Sequence, residues 1–283
     1  MINWFKKKER PKITFWPKVP GLEEITPVKP HIKSIPSWYR RIPMWTYGES
    51  SLNKDNDPKI NKQFQEEYDD PMIPSWKKQT NIKAATVRKC PAIQDYWKTG
   101  YVVPMWSDVH LEIQENKDQV MDDYKWETPS DEFKIDLHHN DQFIKHLTKK
   151  EKENSGIKFI WKFVCPWFCK TPPGYSVLQL PMTYEVENEF KVLPGIIDTD
   201  IHHEINQQVA VYRYGQITIK RGTPLCMYIP FKREEFDFEC IAETPELKRS
   251  YRLDQLNIFT KFPGMDKVGA YQEKQKKCPH KEN

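Results

Sequence analysis

Residues 194–200 read Pro-Gly-Ile-Ile-Asp-Thr-Asp. Residues 216–224 read Gln-Ile-Thr-Ile-Lys-Arg-Gly-Thr-Pro, and an apolar run follows over 225–231. Ile217 and Ile219 alternate with polar residues, the period of a half-buried strand. Gly222 marks a tight turn, and the apolar run after it reads as a buried strand. Upstream, the turn delivers Asp198 and Asp200 at alternate positions. On extended backbone both carboxylates point to one face.

Outward from this stretch the strand signals continue. Residues 84–88, 101–104, 109–113, 134–137 and 157–164 are strand-like. The segment 109–113 alternates strictly, and Ile157, Phe159, Trp161 and Phe163 share one face. Short helices are expected over 91–98, closed by Gly100, over 141–152, and over 60–68. Cys90-Pro91 followed by Gly100-Tyr101 is echoed by Cys165-Pro166 followed by Gly174-Tyr175. Two related β-units, 84–113 and 157–235, would produce this echo, and so would chance in a chain rich in Pro and Tyr.

The 283 residues are 38% hydrophobic, 30% charged and 13% aromatic. That mix builds a core and is too aromatic for a disordered chain. With 23 Pro against 10 Gly, strands joined by rigid connections are favoured over long helices. Prolines and tryptophans recur over residues 1–80, which read as an extended N-terminal arm laid on its own body or on a neighbour. A β body is expected over 81–250, and a C-terminal extension with a charged tail over 251–283. The net charge of +4 gives no case for a nucleic-acid surface. Six scattered cysteines read as reduced thiols. The N-terminus has no signal-peptide pattern, and no run approaches the roughly 18 apolar residues of a membrane span.

The region 170–232 resembles the core of the dUTPase and dCTP-deaminase superfamily. Thr171-Pro-Pro-Gly-Tyr175 resembles a turn of that family, and Gly195-Ile-Ile-Asp-Thr-Asp200 its acidic turn. Residues 217–229 resemble its closing strand, Gly turn and strand. The resemblance implies a β-clip or distorted jelly-roll fold, often trimeric, and places the water-orienting aspartate on Asp198. It departs where the family has an aromatic and then Arg-Gly, here Ile201 and His202-His203. It departs again where a phosphate motif belongs, because Glu185, Glu187 and Glu189 stand there without an arginine and would repel a triphosphate. The resemblance therefore implies the fold and not the nucleotide site. More widely, residues 88–113 and 163–234 resemble a family of uncharacterised proteins of tailed phages of marine bacteria, which implies a viral origin in host cytoplasm or virion.

Asp198 and Asp200 are the candidate catalytic residues. Asp198, Asp200, His202 and Glu204 would line one face of a strand and His203 the other. Imidazole with carboxylate suits a divalent transition metal, so His202, His203 and Glu204 are the candidate ligands. The competing reading is a polar turn with aspartates capping backbone amides. A second cluster, His138, His139, Asp141 and His146, reads as a solvated loop. Cys165-Pro-Trp-Phe-Cys169 has a spacing zinc accepts, but it needs a second pair such as Cys278 and His280.

The expectation is a mainly β protein that leans against being an enzyme. It is read as a phage protein acting through assembly with itself, as a trimer for example, or with other phage proteins through the arm, with no cofactor and no membrane. The rival is a dUTPase-like hydrolase or deaminase, or a metal-dependent enzyme, using Asp198 with His202 or His203.

Overall fold

The computed structural model describes residues 10–47, 83–115, 123–137, 142–185 and 189–261. The chain is mainly β, as expected, with short helices between antiparallel strands. Two compact units are distinguished. One joins Met1–Ser34 to Lys98–Glu239, and the other joins Ile35–Trp97 to Cys240–Asn283. The strands are, in chain order, β1 (Thr14–Pro17), β2 (Lys29–Pro30), β3 (Trp45–Tyr47), β4 (Lys83–Ala85), β5 (Tyr101–Pro104), β6 (Val109–Gln114), β7 (Asp123–Glu127) and β8 (Ile135–Leu137). There follow β9 (Phe159–Phe163), β10 (Trp167–Lys170), β11 (Tyr175–Pro181), β12 (Phe190–Val192), β13 (Gly195–Ile197), β14 (Gln207–Val211), β15 (Gly215–Ile219) and β16 (Pro224–Lys232).

In the larger unit, the sheet that carries the site runs β13-β11-β16-β5-β2. A second sheet runs β12-β14-β9-β8, a third β15-β6-β7, and β1 pairs with β10. Period two in the sequence becomes burial here. Val109, Leu111 and Ile113 face the core, while His110 and Gln114 are exposed. Strand β9 is buried on both faces. Phe159, Trp161 and Phe163 enter the main core, while Ile160 meets Ile144 and Ala210 in a second cluster. The apolar run of β16 is central in its sheet, which explains why it lacks alternation. Its Tyr228 hydroxyl donates to Gln179 Oε1 at 2.7 Å and accepts from Gln207 Nε2 at 2.8 Å, tying β11, β14 and β16 through a fully buried polar network.

The two Gly-Tyr turns open β5 and β11, the strands that flank β16. A Cβ on Gly100 would lie 2.7 Å from the Tyr228 carbonyl oxygen, and its φ is +76°, so only glycine brings β5 alongside β16. The echo does not extend to the segment between: Cys90-Pro91 leads into a helix, Pro91–Lys98, and Cys165-Pro166 into strand β10.

Two segments within residues 14–34, read from the sequence as part of the arm, pair with the chain's own strands. Thr14–Pro17 pairs with Trp167–Lys170, and Lys29 and Pro30 pair with Val102 and Tyr101. Pro tolerates these positions because both strands lie at sheet edges. In the smaller unit, β3 pairs with β4, and Tyr39 packs its ring on Trp97 at 5.1 Å.

Local differences from expectation have local causes. The strand expected over 84–88 ends at Ala85, because Thr86 caps a 3₁₀ turn at Val87–Lys89. In place of one helix over 141–152 there is a 3₁₀ turn at Ile144–His146, then a helix at Lys149–Ser155. Thr148 and Glu151 form a capping box that sets the later start, and Gly156 at φ +67° ends it. The helix expected over 60–68, and His138, His139, Asp141, Glu187, Cys278 and His280, lie outside the described residues.

Candidate functional site

Strand β13 ends at Ile197, and the chain turns at once. The Asp198 carbonyl accepts from the N–H groups of Ile201 (3.0 Å) and His202 (2.8 Å). The segment 198–202 is thus a turn and not a strand, so alternation does not set its faces. The buried Thr199 anchors it, its hydroxyl 2.8 Å from that of Thr171.

The turn is clasped from β16. Antiparallel register places Lys232 opposite Tyr175, and the Arg233 N–H donates to the Gly174 carbonyl at 2.8 Å. From there the Arg233 guanidinium grips Asp200 with two hydrogen bonds, 2.9 Å to Oδ1 and 2.5 Å to Oδ2. The Gly174 N–H donates to the same Oδ2 at 2.8 Å. Gly174 has φ +81°, a conformation glycine adopts without strain. Arg233 also donates to Ser176 Oγ at 2.9 Å, and Ser176 donates to Asp198 Oδ1 at 2.6 Å. Arg233 stands 3.2 Å from that oxygen. Bidentate, charge-assisted pairing of this kind favours the ionised carboxylate. The Arg233 hydrogen bonds hold the Asp200 carboxyl down at about 2. Asp200 leaves 7% of its side chain exposed, Arg233 36% and Asp198 53%. Asp198 therefore sits at an open surface beside a cation and a hydroxyl.

The candidate metal ligands are engaged separately. A carbonyl only accepts, so His203 Nδ1 carries the proton it donates to the Thr199 carbonyl at 2.9 Å. The His203 ring meets Trp16 edge-on at 5.6 Å. Glu204 bridges to Phe168 through its backbone and takes Lys18 Nζ at 3.1 Å, which lowers its carboxyl below the usual range. His202 is exposed. Among the described residues no three His, Cys, Asp or Glu side chains are placed to hold a metal. The physical reason is the turn, together with strand β1, whose Trp16 and following Lys18 engage His203 and Glu204.

Cys165 and Cys169 lie in the core with Cys226. Burial pushes the first two thiols up to about 11 and about 12, so they are neutral at physiological pH. Of the glutamates in the place of a phosphate motif, Glu189 is paired with Arg213 at 2.5 Å. Arg233 is the residue that sequence reasoning missed. It sits in the run Lys232-Arg233-Glu234-Glu235, which reads as a solvated strand end, and its partners are 33 and 57 positions away. The available signal was one arginine at the end of a strand pairing with the segment before the acidic turn.

No family model matches the chain, and neither does any curated protein. Among solved structures it is similar to the dUTPase from phage phi11 of S. aureus, at 12% identity and a TM-score of 0.29, over 52% of this chain and 85% of that one. A dUTPase of Staphylococcus bacteriophage 80alpha matches at the same identity and TM-score, over 52% of this chain and 84% of its own. The native EIAV dUTPase matches at 12% identity and a TM-score of 0.26, over 48% and 97%. Likeness at this level sets neither an activity nor a substrate for this chain. No helix among the described residues is long and apolar enough to cross a membrane.

Proposed function

We propose that the chain is a non-catalytic phage protein that acts by assembling with copies of itself. The observation that carries this reading is the Arg233 clasp. Both oxygens of Asp200 and one oxygen of Asp198 are held by an arginine and a serine of the same chain, which fix the turn against β11 and β16. Fully exposed aromatic side chains add support, since Phe236 and Phe238 stand 86% and 92% exposed in the larger unit. The phage origin comes from the sequence resemblance alone.

One observation favours a second reading. Asp198 stays half exposed with a hydroxyl and a guanidinium beside it, a grouping able to orient a water against a phosphate ester. The test is a panel of nucleoside triphosphates with magnesium, manganese or ferrous ion. Assembly without catalysis predicts no turnover by the native chain. Turnover that disappears in Asp198→Asn would establish the hydrolase and end the non-catalytic reading.

A further inference from the structure

Residues 25–48 contain no Asp or Glu, and neither do residues 71–94. Between them the two stretches hold nine lysines and arginines, against a net charge of +4 for the whole chain. The near balance of the chain therefore hides a local asymmetry, since everything outside the two stretches is net acidic.

The smaller unit brings the two stretches together. Strand β3 pairs with β4, with Trp45 opposite Ala85 and Tyr47 opposite Lys83. Shortly before β3 lies the helix Ser37–Arg41, and shortly after β4 the 3₁₀ turn Val87–Lys89. The Thr86 N–H donates to the Met44 carbonyl at 3.2 Å. Arg88 closes the contact at the C-terminal end of the helix. Its Nη1 donates to the Ile42 carbonyl at 2.9 Å and to the Arg40 carbonyl at 3.3 Å. Arg40, Arg41 and Arg88 are thereby gathered on one small surface.

None of the three meets a carboxylate among the described residues. Arg41 Nη1 donates to Ser37 Oγ at 3.3 Å, the Arg88 guanidinium to the two carbonyls, and Arg40 is exposed. The carboxylates of this unit stand elsewhere along the chain. Asp95 is half-buried in the helix Pro91–Lys98, Glu243 is paired with Lys248 at 3.8 Å, and Glu246 opens the last helix. Those of residues 49–70 lie outside the described residues.

Arginine presents a planar fork of N–H donors that fits a phosphate, and it keeps its charge at every physiological pH. Trp38 stands three residues before Arg41, on the same face of the helix. An indole there offers a base a surface to stack on. The helix has five residues, too few to lie along a major groove and read it. Contacts to phosphates and to an unpaired base are what this surface can make.

We propose that Arg40, Arg41 and Arg88 bind the phosphate backbone of single-stranded nucleic acid, with Trp38 against a base and no readout of sequence. The proposal stands apart from self-assembly and gives the smaller unit a partner of its own.

The test is fluorescence anisotropy of a labelled oligothymidylate titrated with the full chain at several salt concentrations. A duplex of the same length and phosphatidylglycerol vesicles serve as rival ligands. Three phosphate contacts on a single strand predict that log K falls against log salt with a slope of about −2. Arg40→Gln with Arg41→Gln should flatten the slope to about −0.7 and weaken binding roughly tenfold or more. Both side chains are exposed, so circular dichroism and Tm are expected to be native. Trp38→Leu should weaken binding and leave the slope native. Lys125→Gln, an exposed lysine of the larger unit, should change neither. Absence of binding by the native chain overturns the proposal, as does binding that the double arginine variant leaves intact. Equal loss in Lys125→Gln makes the attraction diffuse and overturns the assignment to this surface. Tighter binding to the duplex contradicts the base contact, and tighter binding to the vesicles contradicts nucleic acid as the partner.

Discussion

The turn at 198–204 and the segment at 233–239 look opposite in sequence and behave opposite in structure. The turn packs carboxylates and imidazoles into seven positions, the composition of a reaction centre. In the folded chain most of them have a partner: Asp198 has Ser176, Asp200 has Arg233, His203 has the Thr199 carbonyl and Glu204 has Lys18. The segment reads as a charged strand end, yet it leaves two aromatic rings uncovered. A polar group whose hydrogen bonds are all made inside the chain has little left for a ligand. An exposed ring has all its binding capacity left. The partners, more than the residue types, separate the two regions.

Substitutions sharpen this contrast in a definite order. The scale is set by the core, where Trp161 is fully buried against Phe159, Tyr124 and Trp126. Trp161→Ala should cost about 3–5 kcal/mol of stability, measured by urea unfolding. Next comes Arg233→Ala, which leaves the nearly buried Asp200 carboxylate without its cation and should lower Tm by several degrees. If Tm is unchanged, the turn is not held by the clasp and the contrast fails.

Asp200→Asn should destabilise less, and its effect should depend on pH. The folded carboxyl titrates at about 2 against an ordinary 3.8. A depressed carboxyl contributes stability that is complete above the unfolded value and is lost as pH falls through the folded one. The native chain should therefore exceed Asp200→Asn in Tm at pH 6, and the difference should shrink between pH 4 and pH 2. A constant difference across that range would assign the effect to shape and not to charge. Asp198→Asn should change Tm least among the clasp residues, because its carboxylate is half exposed. Phe236→Ser with Phe238→Ser should leave the stability of the isolated chain within about 0.5 kcal/mol, as exposed positions do.

Much of the fold was legible because its signals are local. The alternation of β6 and β9, the run of β16 and the helix Pro91–Lys98 closed by Gly100 each lie within one short window. The later start of the helix at Lys149 was also legible, in the Thr148–Glu151 capping box. The site was less so. Its polar-turn reading rests on residues 198–202 alone, but the clasp depends on register between β11 and β16, which brings Arg233 to Gly174. Likewise, Phe15 and Trp16 look like arm residues until β1 meets β10, about 150 positions on, where Trp16 stacks on Phe168 at 5.3 Å. Pairings of that separation leave no trace in a sequence window.

The acidic turn holds the fold, and the proposed function lies in contacts between copies of the chain. The mass of the full chain in solution tests it most directly, by light scattering across micromolar concentrations. Self-assembly gives a multiple of 33.9 kDa. A single species at 33.9 kDa throughout would contradict it.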